Sequence, residues 1–421
     1  MASARLSLRY VRRFTTAAGD ATTTIESASP FPGKISVSKA KSTLRKVHDP
    51  DKALEIYSNV SDHSASPVSS RYAQELTVRR LAKCNRFSDI ETLIESHKND
   101  PKIKEESFYS MLIRSYGRAS MFDHAMSTFE QMDKYGTPRS AVSFNALLTA
   151  CLHSKKFDKV PQLFDEIPQR YKNTIPDKIS YGILIKSYCD SGSPEKAIEI
   201  MRQMEKKRME VTTIAFTTIL GSLYKNGEIE VAESLWKEMV KKGCELDTAA
   251  YNVRLMNAQK ESPERVSELI DEMISVGLKP DTISYNYLIT AYCEKGMLDE
   301  AKKVFKGLEA NKCAPNAATF RTLIFHLCYC GLYEQGYAMF KKSVRMNKIP
   351  DFNTLKHLAV GLVTNKKIDD AKGLIRTVKK KFPSSFLIAW KKLEEELGLC
   401  SKTDASSSSA KAAAEGRETA A

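Results

Sequence analysis

The residue types that could do chemistry in this chain are few and scattered. His326, Cys328 and Cys330 come near the spacing of a metal site, but on one helix only 326 and 330 share a face, and no second cluster completes four ligands. A zinc-dependent deaminase needs His-x-Glu with Cys-x-x-Cys to hold the metal and move a proton, and a zinc peptidase needs His-Glu-x-x-His; neither motif is present. No glycine-rich loop offers to cradle a phosphate, and acids such as Asp299 and Glu300 recur at helix starts, where carboxylates favour the positive helix end. Nothing assembles into a nucleophile with a base, so the residues predict no catalysis, no metal and no cofactor.

The elements that position side chains are set by a repeat. An aromatic falls at Tyr109, Phe144, Tyr181, Phe216, Tyr251, Tyr285 and Phe320, at intervals of 35, 37, 35, 35, 34 and 35 residues. A period in this range marks a stack of small units, none able to bury its apolar face alone. Taking the aromatic as position 4 gives segments 106–140, 141–177, 178–212, 213–247, 248–281, 282–316 and 317–351, each reading helix, turn, helix, loop. In the first helix, apolar residues follow the aromatic at helical spacing, as in Tyr285, Leu288, Ile289 and Tyr292. In the second, a small residue (Ala125, Ala197, Ala232, Ala301) precedes a bulky one by four residues (Phe129, Met201, Trp236, Phe305), so that two helices can approach closely. Gly192, Gly227, Gly296 and Gly331 mark the turns between helices, and Gly277, Pro280, Pro315 and Pro350 mark the loops after them. Pro161 and Pro168 in the second helix of segment 141–177, with two extra loop residues there, predict a kink or register change.

The expected fold is all-α, a right-handed α-solenoid of about nine helix-turn-helix repeats of 35 residues. Degenerate repeats cover 34–105, the seven clear copies 106–351, and a last degenerate repeat with a capping helix 352–400, where Leu387, Trp390, Leu393 and Leu397 close the stack. Only 18 glycines and 15 prolines in 421 residues, with no linker between 71 and 385, argue for one elongated array. No run of 18 apolar residues occurs, so no membrane span is expected. Nine cysteines is an odd number, and Cys189, Cys293 and Cys328 share position 12, which implies a small apolar thiol packed on the buried side rather than disulfides.

Both ends read differently. Arg5, Arg9, Arg12 and Arg13 lie among apolar residues, Ser and Thr before the first acid, Asp20, a composition that predicts a mitochondrial transit peptide over 1–14, then a flexible linker over 15–33. Residues 401–421, with Ser406 to Ser409 and Ala410 to Ala414, predict a disordered low-complexity tail. Taking the four leader arginines from the formal charge of +14 leaves +10, enough to favour a polyanion. The lysine clusters, such as Lys206, Lys207 and Lys302, Lys303, fall in second helices and their loops and read as solvated outer faces.

The stretches TISYNYLITAYC (Thr282 to Cys293), EKGMLDEAKKVF (Glu294 to Phe305) and VGLKPD (Val276 to Asp281) closely resemble the pentatricopeptide repeat in its P class, as found in plant organelles, and the likeness covers about 34–386. A tetratricopeptide array, usually a protein-binding scaffold, has a 34-residue period; here six of eight copies from residue 71 are 35 long. The resemblance implies that each repeat offers one nucleotide to the residues at position 5 and at the repeat's last position. Carried over, the base-reading pairs are Asn145 with Asp177, Thr217 with Asp247, Asn252 with Asp281 and Asn286 with Asn316, favouring U, G, U and C or U. An Asn side chain both donates and accepts, so it can read a Watson–Crick edge, and the residue behind it orients the amide. Val142, Ile179, Ile214 and Ile283 at position 2 would sandwich the bases, and Arg118, Lys225 and Lys260 at position 13 would meet phosphates. Gly182 with Thr212, Ser110 with Ser140 and Arg321 with Asp351 depart from the pattern and should read poorly.

The implied partner is single-stranded mitochondrial RNA, messenger or ribosomal, in the matrix, with mitochondrial ribosomal proteins as possible neighbours. Short length and weak pairs at both ends point to a non-catalytic protein similar to the short repeat proteins of plant mitochondrial ribosomes, acting in the small subunit. The alternative is a transcript-specific factor for RNA stability, processing or translation that is not held on ribosomes. A protein-binding scaffold and an RNA-processing enzyme are more distant readings.

Overall fold

The computed structural model describes residues 34–47, 49–60, 67–98, 105–382 and 387–399. The expected leader over 1–14, the linker over 15–33 and the tail over 401–421 lie outside the described residues. Among those residues the protein is helical, and the sole β feature is an isolated bridge between Ile35 and Val60. Two compact units divide between Ser187 and Tyr188.

In the first unit the helical pairs are Val37–Lys46 with Pro50–Ser58, Pro67–Lys83 with Phe87–Lys98, Glu106–Arg118 with Phe122–Glu130, and Ala141–His153 with Lys159–Arg170. In the second they are Thr213–Asn226 with Ile229–Lys241, Thr248–Ala258 with Pro263–Ser275, Thr282–Glu294 with Leu298–Gly307, Ala317–Tyr329 with Tyr333–Arg345, and Phe352–Thr364 with Ile368–Lys381. Within each unit a first helix packs on its own partner and on the first helix of the next pair. First helices thus form one layer and second helices the other.

The repeat's apolar code explains this packing. The position 4 aromatics Phe144, Phe216, Tyr251 and Phe320 are buried, as are Ala125, Ala197, Ala232 and Ala301. The bulky residue of one second helix meets the aromatic of the next repeat: Phe164 stands edge-on to Tyr181 at 5.0 Å, Trp236 to Tyr251 at 5.4 Å and Phe305 to Phe320 at 5.7 Å. Edge-to-face pairs add about 0.5–1.5 kcal/mol beyond the area they bury. At these boundaries, each inside one unit, a repeat therefore completes the core of its neighbour.

Close approach has its own residues. A Cβ on Gly117 would lie 2.3 Å from the Ala150 Cα, so the first helices of segments 106–140 and 141–177 touch backbone to backbone. The turn between paired helices demands a left-handed residue, which Gly227 and Gly296 supply at φ of 81° and 75°. Ser120, Lys155 and Lys366 hold the same turn at φ of 61°, 56° and 60° with a side chain present.

Pro161 and Pro168 do not break their helix, which runs continuously from Lys159 to Arg170. Pro161 occupies the first turn, where a missing N–H has no intrahelical partner to lose, and Pro168 lies in the last. Cys293 and Cys328 are buried, and burial pushes both thiols up to about 12; Cys189 is only half-buried. At the end of the second unit, helix Ile388–Glu396 sets Trp390 edge-on to Phe352 at 4.9 Å.

Candidate nucleic-acid interface

The last residue of a repeat is the N-cap of the next first helix. Asp247, Asn316 and Asp351 each accept a backbone N–H from the first turn that follows, and Asp177 and Asp281 each accept two, from Ile179 and Ser180 and from Ile283 and Ser284. Such caps satisfy donors a helix start leaves unpaired.

Three of these caps also hold the position 5 side chain of the repeat before. Asn145 Nδ2 donates to Asp177 Oδ1 at 3.0 Å, Asn252 Nδ2 to Asp281 Oδ1 at 3.1 Å and Asn286 Nδ2 to Asn316 Oδ1 at 3.2 Å. The fourth pair is not united: Thr217 Oγ1 donates to the Thr213 carbonyl at 2.8 Å, and Asp247 Oδ1 accepts from the Ala250 N–H at 2.8 Å. A threonine inside a helix finds its own carbonyl one turn back and does not reach the cap.

A third member of the cluster went unread in the sequence. Ser180, Ser284 and Thr319, at position 3 of the following repeat, donate to the Oδ1 of Asn145, Asn252 and Asn286 at 2.6, 2.7 and 2.6 Å. The signal was available: a hydroxyl stands two residues into the helix after each of these three caps. Asn145 and Asn252 are each 8% exposed, so the amides are set into the surface rather than waving above it. Burial works against ionisation of Asp177, but hydrogen bonds from the Ser180 backbone, Asn145, Ser180 Oγ and the Ile179 backbone outweigh it and hold the carboxyl below its ordinary value.

The position 2 residues flank these clusters from solvent. Val142, Ile179, Ile214 and Ile283 are 49%, 58%, 74% and 46% exposed, an unusual placement for β-branched apolar side chains and one that leaves them ready for a planar partner. Ile179 and Ile283 carry the very N–H groups that the Asp177 and Asp281 carboxylates accept.

The position 13 cations divide. Lys225 and Lys260 are exposed, whereas Arg118 is half-buried and pairs with Glu75 at 3.3 Å. Arg79 shares that acid at 2.8 Å, and burial followed by Arg118 and Arg79 holds the nearby His153 below its usual imidazole value. Arg79, Arg114 and Arg118 thus gather guanidinium groups on the first helices of residues 71–118, and their charge helps to keep His153 of the next first helix neutral. The pairs expected to read poorly lack the three-membered cluster. Ser110 is buried with its Oγ unpartnered, and Thr354, three residues after the cap, turns its hydroxyl to the Asp351 carboxylate at 3.1 Å, where Arg321 replaces the asparagine. At Ser140 the capping is shared: Ser140 Oγ accepts the Val142 N–H at 3.1 Å, and the carboxylate of Glu106 accepts from the Ser140 and Ser143 N–H groups at 2.7 and 3.0 Å.

Among the described residues no group of three or more His, Cys, Asp and Glu side chains could hold a metal ion, and no helix is long and apolar enough to cross a membrane. The array can therefore present oriented amides, exposed aliphatic side chains and cations along its first helices, a set suited to single-stranded bases and phosphates.

Comparison with known proteins agrees with that register. The profile of the PPR repeat family matches residues 139–190, 176–220, 211–258 and 280–329, and a PPR repeat profile matches 107–137. The chain is 84% identical over 414 residues, 98% of its length and 100% of the relative's, to the small ribosomal subunit protein mL103 (rPPR7) of Arabidopsis thaliana. It is 69% identical over 406 residues, 96% of its length and 95% of the relative's, to a mitochondrial pentatricopeptide repeat-containing protein of the same plant. A crystal structure of the maize pentatricopeptide repeat protein PPR10 aligns at 17% identity and TM-score 0.42, covering 86% of this chain and 59% of that one.

Proposed function

We propose, for a chain that belongs to the pentatricopeptide repeat family, that it is a non-catalytic RNA-binding component of the small subunit of the mitochondrial ribosome, resident in the matrix. The observation that carries this reading is full-length identity: 84% over 414 residues to a protein named for the small ribosomal subunit. The site geometry supports the RNA half of it. Asn145, Asn252 and Asn286 with their caps read bases, Val142, Ile179, Ile214 and Ile283 cover base planes, and Lys225 and Lys260 meet phosphates, with Arg118 acting through the basic cluster around Glu75. Thr217 and Asp247 contribute as separate groups.

A second reading, a transcript-specific factor not held on ribosomes, is favoured by one feature: a clamp that recognised RNA by shape alone would have no use for three amides fixed at both ends. Sedimentation separates the two. A ribosomal component stays with the small subunit through a moderate salt wash and after RNA synthesis is stopped. A protein that leaves the subunit at moderate salt and migrates with messenger RNA instead refutes the ribosomal assignment, because phosphate-dominated complexes weaken steeply with salt.

A further inference from the structure

We infer that the position 3 hydroxyls Ser180, Ser284 and Thr319 determine base specificity, by fixing which way the preceding asparagine amide faces. The inference rests on the RNA-reading proposal above and deepens it.

Each amide is held at both ends across a repeat boundary. Its Nδ2 gives one hydrogen to the cap at 3.0, 3.1 or 3.2 Å, and its Oδ1 receives one from the hydroxyl at 2.6, 2.7 or 2.6 Å. The hydroxyl has one hydrogen to give, and the cap oxygen, its other acceptor, is farther away at 3.0, 3.1 and 3.2 Å. Its own oxygen already accepts the cap residue's backbone N–H at 3.1, 3.2 and 3.1 Å. It is therefore committed to donating toward the asparagine, and the amide is tied to the helix start of the next repeat by both of its polar atoms.

A primary amide has two donors and two lone pairs on its oxygen. One of each is consumed, so one N–H and one lone pair remain for a base, in fixed order. Uracil presents an acceptor, O4, beside its N3–H donor; cytosine presents the N4 amino donor beside its N3 acceptor. Turning the amide over exchanges its donor and acceptor and with them the base it fits. The cap opposes that turn by repelling Oδ1, and the hydroxyl opposes it by losing its acceptor.

The chain contains its own contrast. Thr217 precedes Ala250, which has no hydroxyl, and there neither residue 217 nor the cap Asp247 joins a cluster. Where position 5 is Arg321, the Thr354 hydroxyl goes to the Asp351 carboxylate instead. The hydroxyl thus bonds to an amide only where an asparagine stands before it.

The test uses the full chain titrated with oligouridylate and oligocytidylate of equal length, reading the ratio of the two affinities, with a thermal melt alongside. Ser180→Ala and Ser284→Ala, at the two pairs expected to favour U, should each narrow the ratio roughly three- to tenfold, the worth of one hydrogen bond, while Ser180→Thr and Ser284→Thr preserve it. A purely structural cap would lower the melting temperature and weaken both RNAs equally. Thr217→Asn with Ala250→Ser should widen the ratio beyond Thr217→Asn alone, which keeps the inference testable if a loss variant fails to fold. An unchanged ratio in Ser180→Ala and Ser284→Ala, or no difference between Thr217→Asn and the double variant, overturns it. If the native chain binds neither RNA, the RNA-reading proposal falls first and takes the inference with it. A native preference that survives hydroxyl removal sinks the inference alone.

Discussion

Asn252 Nδ2 donates to Asp281 Oδ1 at 3.1 Å, so the fifth residue of one repeat is bound to the N-cap of the next helix. One carboxylate does two jobs, and substitution can separate them. Asp281→Ala should cost about 1 kcal/mol of stability through the lost cap and also abolish the base preference of that repeat. Asp281→Asn should leave stability within about 0.5 kcal/mol, because asparagine caps as well as aspartate does, while shifting the preferred base. Asn316 already fills this place in the neighbouring repeat, 3.2 Å from Asn286. Urea denaturation paired with RNA titration checks both arms; a stability loss in Asp281→Asn equal to that of Asp281→Ala would contradict the separation.

The exposed position 2 residues make the opposite prediction. Ile214 is 74% exposed, so Ile214→Ala should leave the melting temperature unchanged. If a base plane covers this side chain, losing its methyl and methylene groups should weaken RNA binding by about 1 kcal/mol, roughly fivefold, without favouring any base. Equal RNA affinity for the two proteins would remove position 2 from the interface.

Close helix contact predicts intolerance at glycines that are not in turns. A Cβ on Gly361 would lie 2.0 Å from the Tyr333 ring, and one on Gly117 would strike the Ala150 backbone. Gly117→Ala should destabilise by about 1–3 kcal/mol despite alanine's better helix propensity, since backbone cannot yield as a side-chain tip can. Gly361→Ala should cost less, because Tyr333 is half-buried and its ring can swing outward. Denaturant midpoints rank the two.

The fold was legible because the repeat states it many times over. The spacing of Tyr251, Phe320 and their equivalents, with alanine ahead of Trp236 and Phe305, names the buried stripe of each helix, and those residues are buried. The candidate site was only half legible. Asn252 and Asp281 could be paired because the family register places them so, yet the same register paired Thr217 with Asp247, which bond elsewhere. Register fixes where Cα atoms stand, but whether a side chain bonds across a boundary depends on its length and on competing carbonyls within its own helix. Ser284 escaped notice for a related reason: a serine in a first turn already has a capping role, and its second bond, to Asn252, crosses 32 residues of sequence. Arg118 was legible as a cation but not as one that shares Glu75, in a degenerate repeat, with Arg79.

Left-handed turn residues give a stabilising prediction. Lys155 holds φ of 56° in the turn where other copies use glycine. Lys155→Gly should stabilise the protein by about 1 kcal/mol, the steric cost of a Cβ in that conformation, less what glycine gains in unfolded-state freedom. Gly227→Lys should do the reverse at φ of 81°. Paired melts of these two variants test whether the turn, rather than the residue, sets the requirement.

Acid should find the second-helix layer before it finds the apolar core. Hydrogen bonding to Arg202, reinforced by Lys242 against the opposing effect of burial, holds Glu238 down to about 2, and Arg202 Nη2 reaches Glu238 Oε2 at 2.6 Å. Because the folded value lies below the unfolded one, the contribution is complete above the ordinary Glu range and is lost as pH falls from about 4.5 through 2. Both side chains are partly exposed, at 42% and 26%, so solvent screening keeps the contribution small and salt should reduce it further. Glu238→Gln should therefore lose less stability than the native chain over that pH interval, and the two should converge at its acid end. Urea midpoints measured from pH 6 downward decide it: parallel acid limbs would mean that carboxylates other than Glu238 govern acid unfolding.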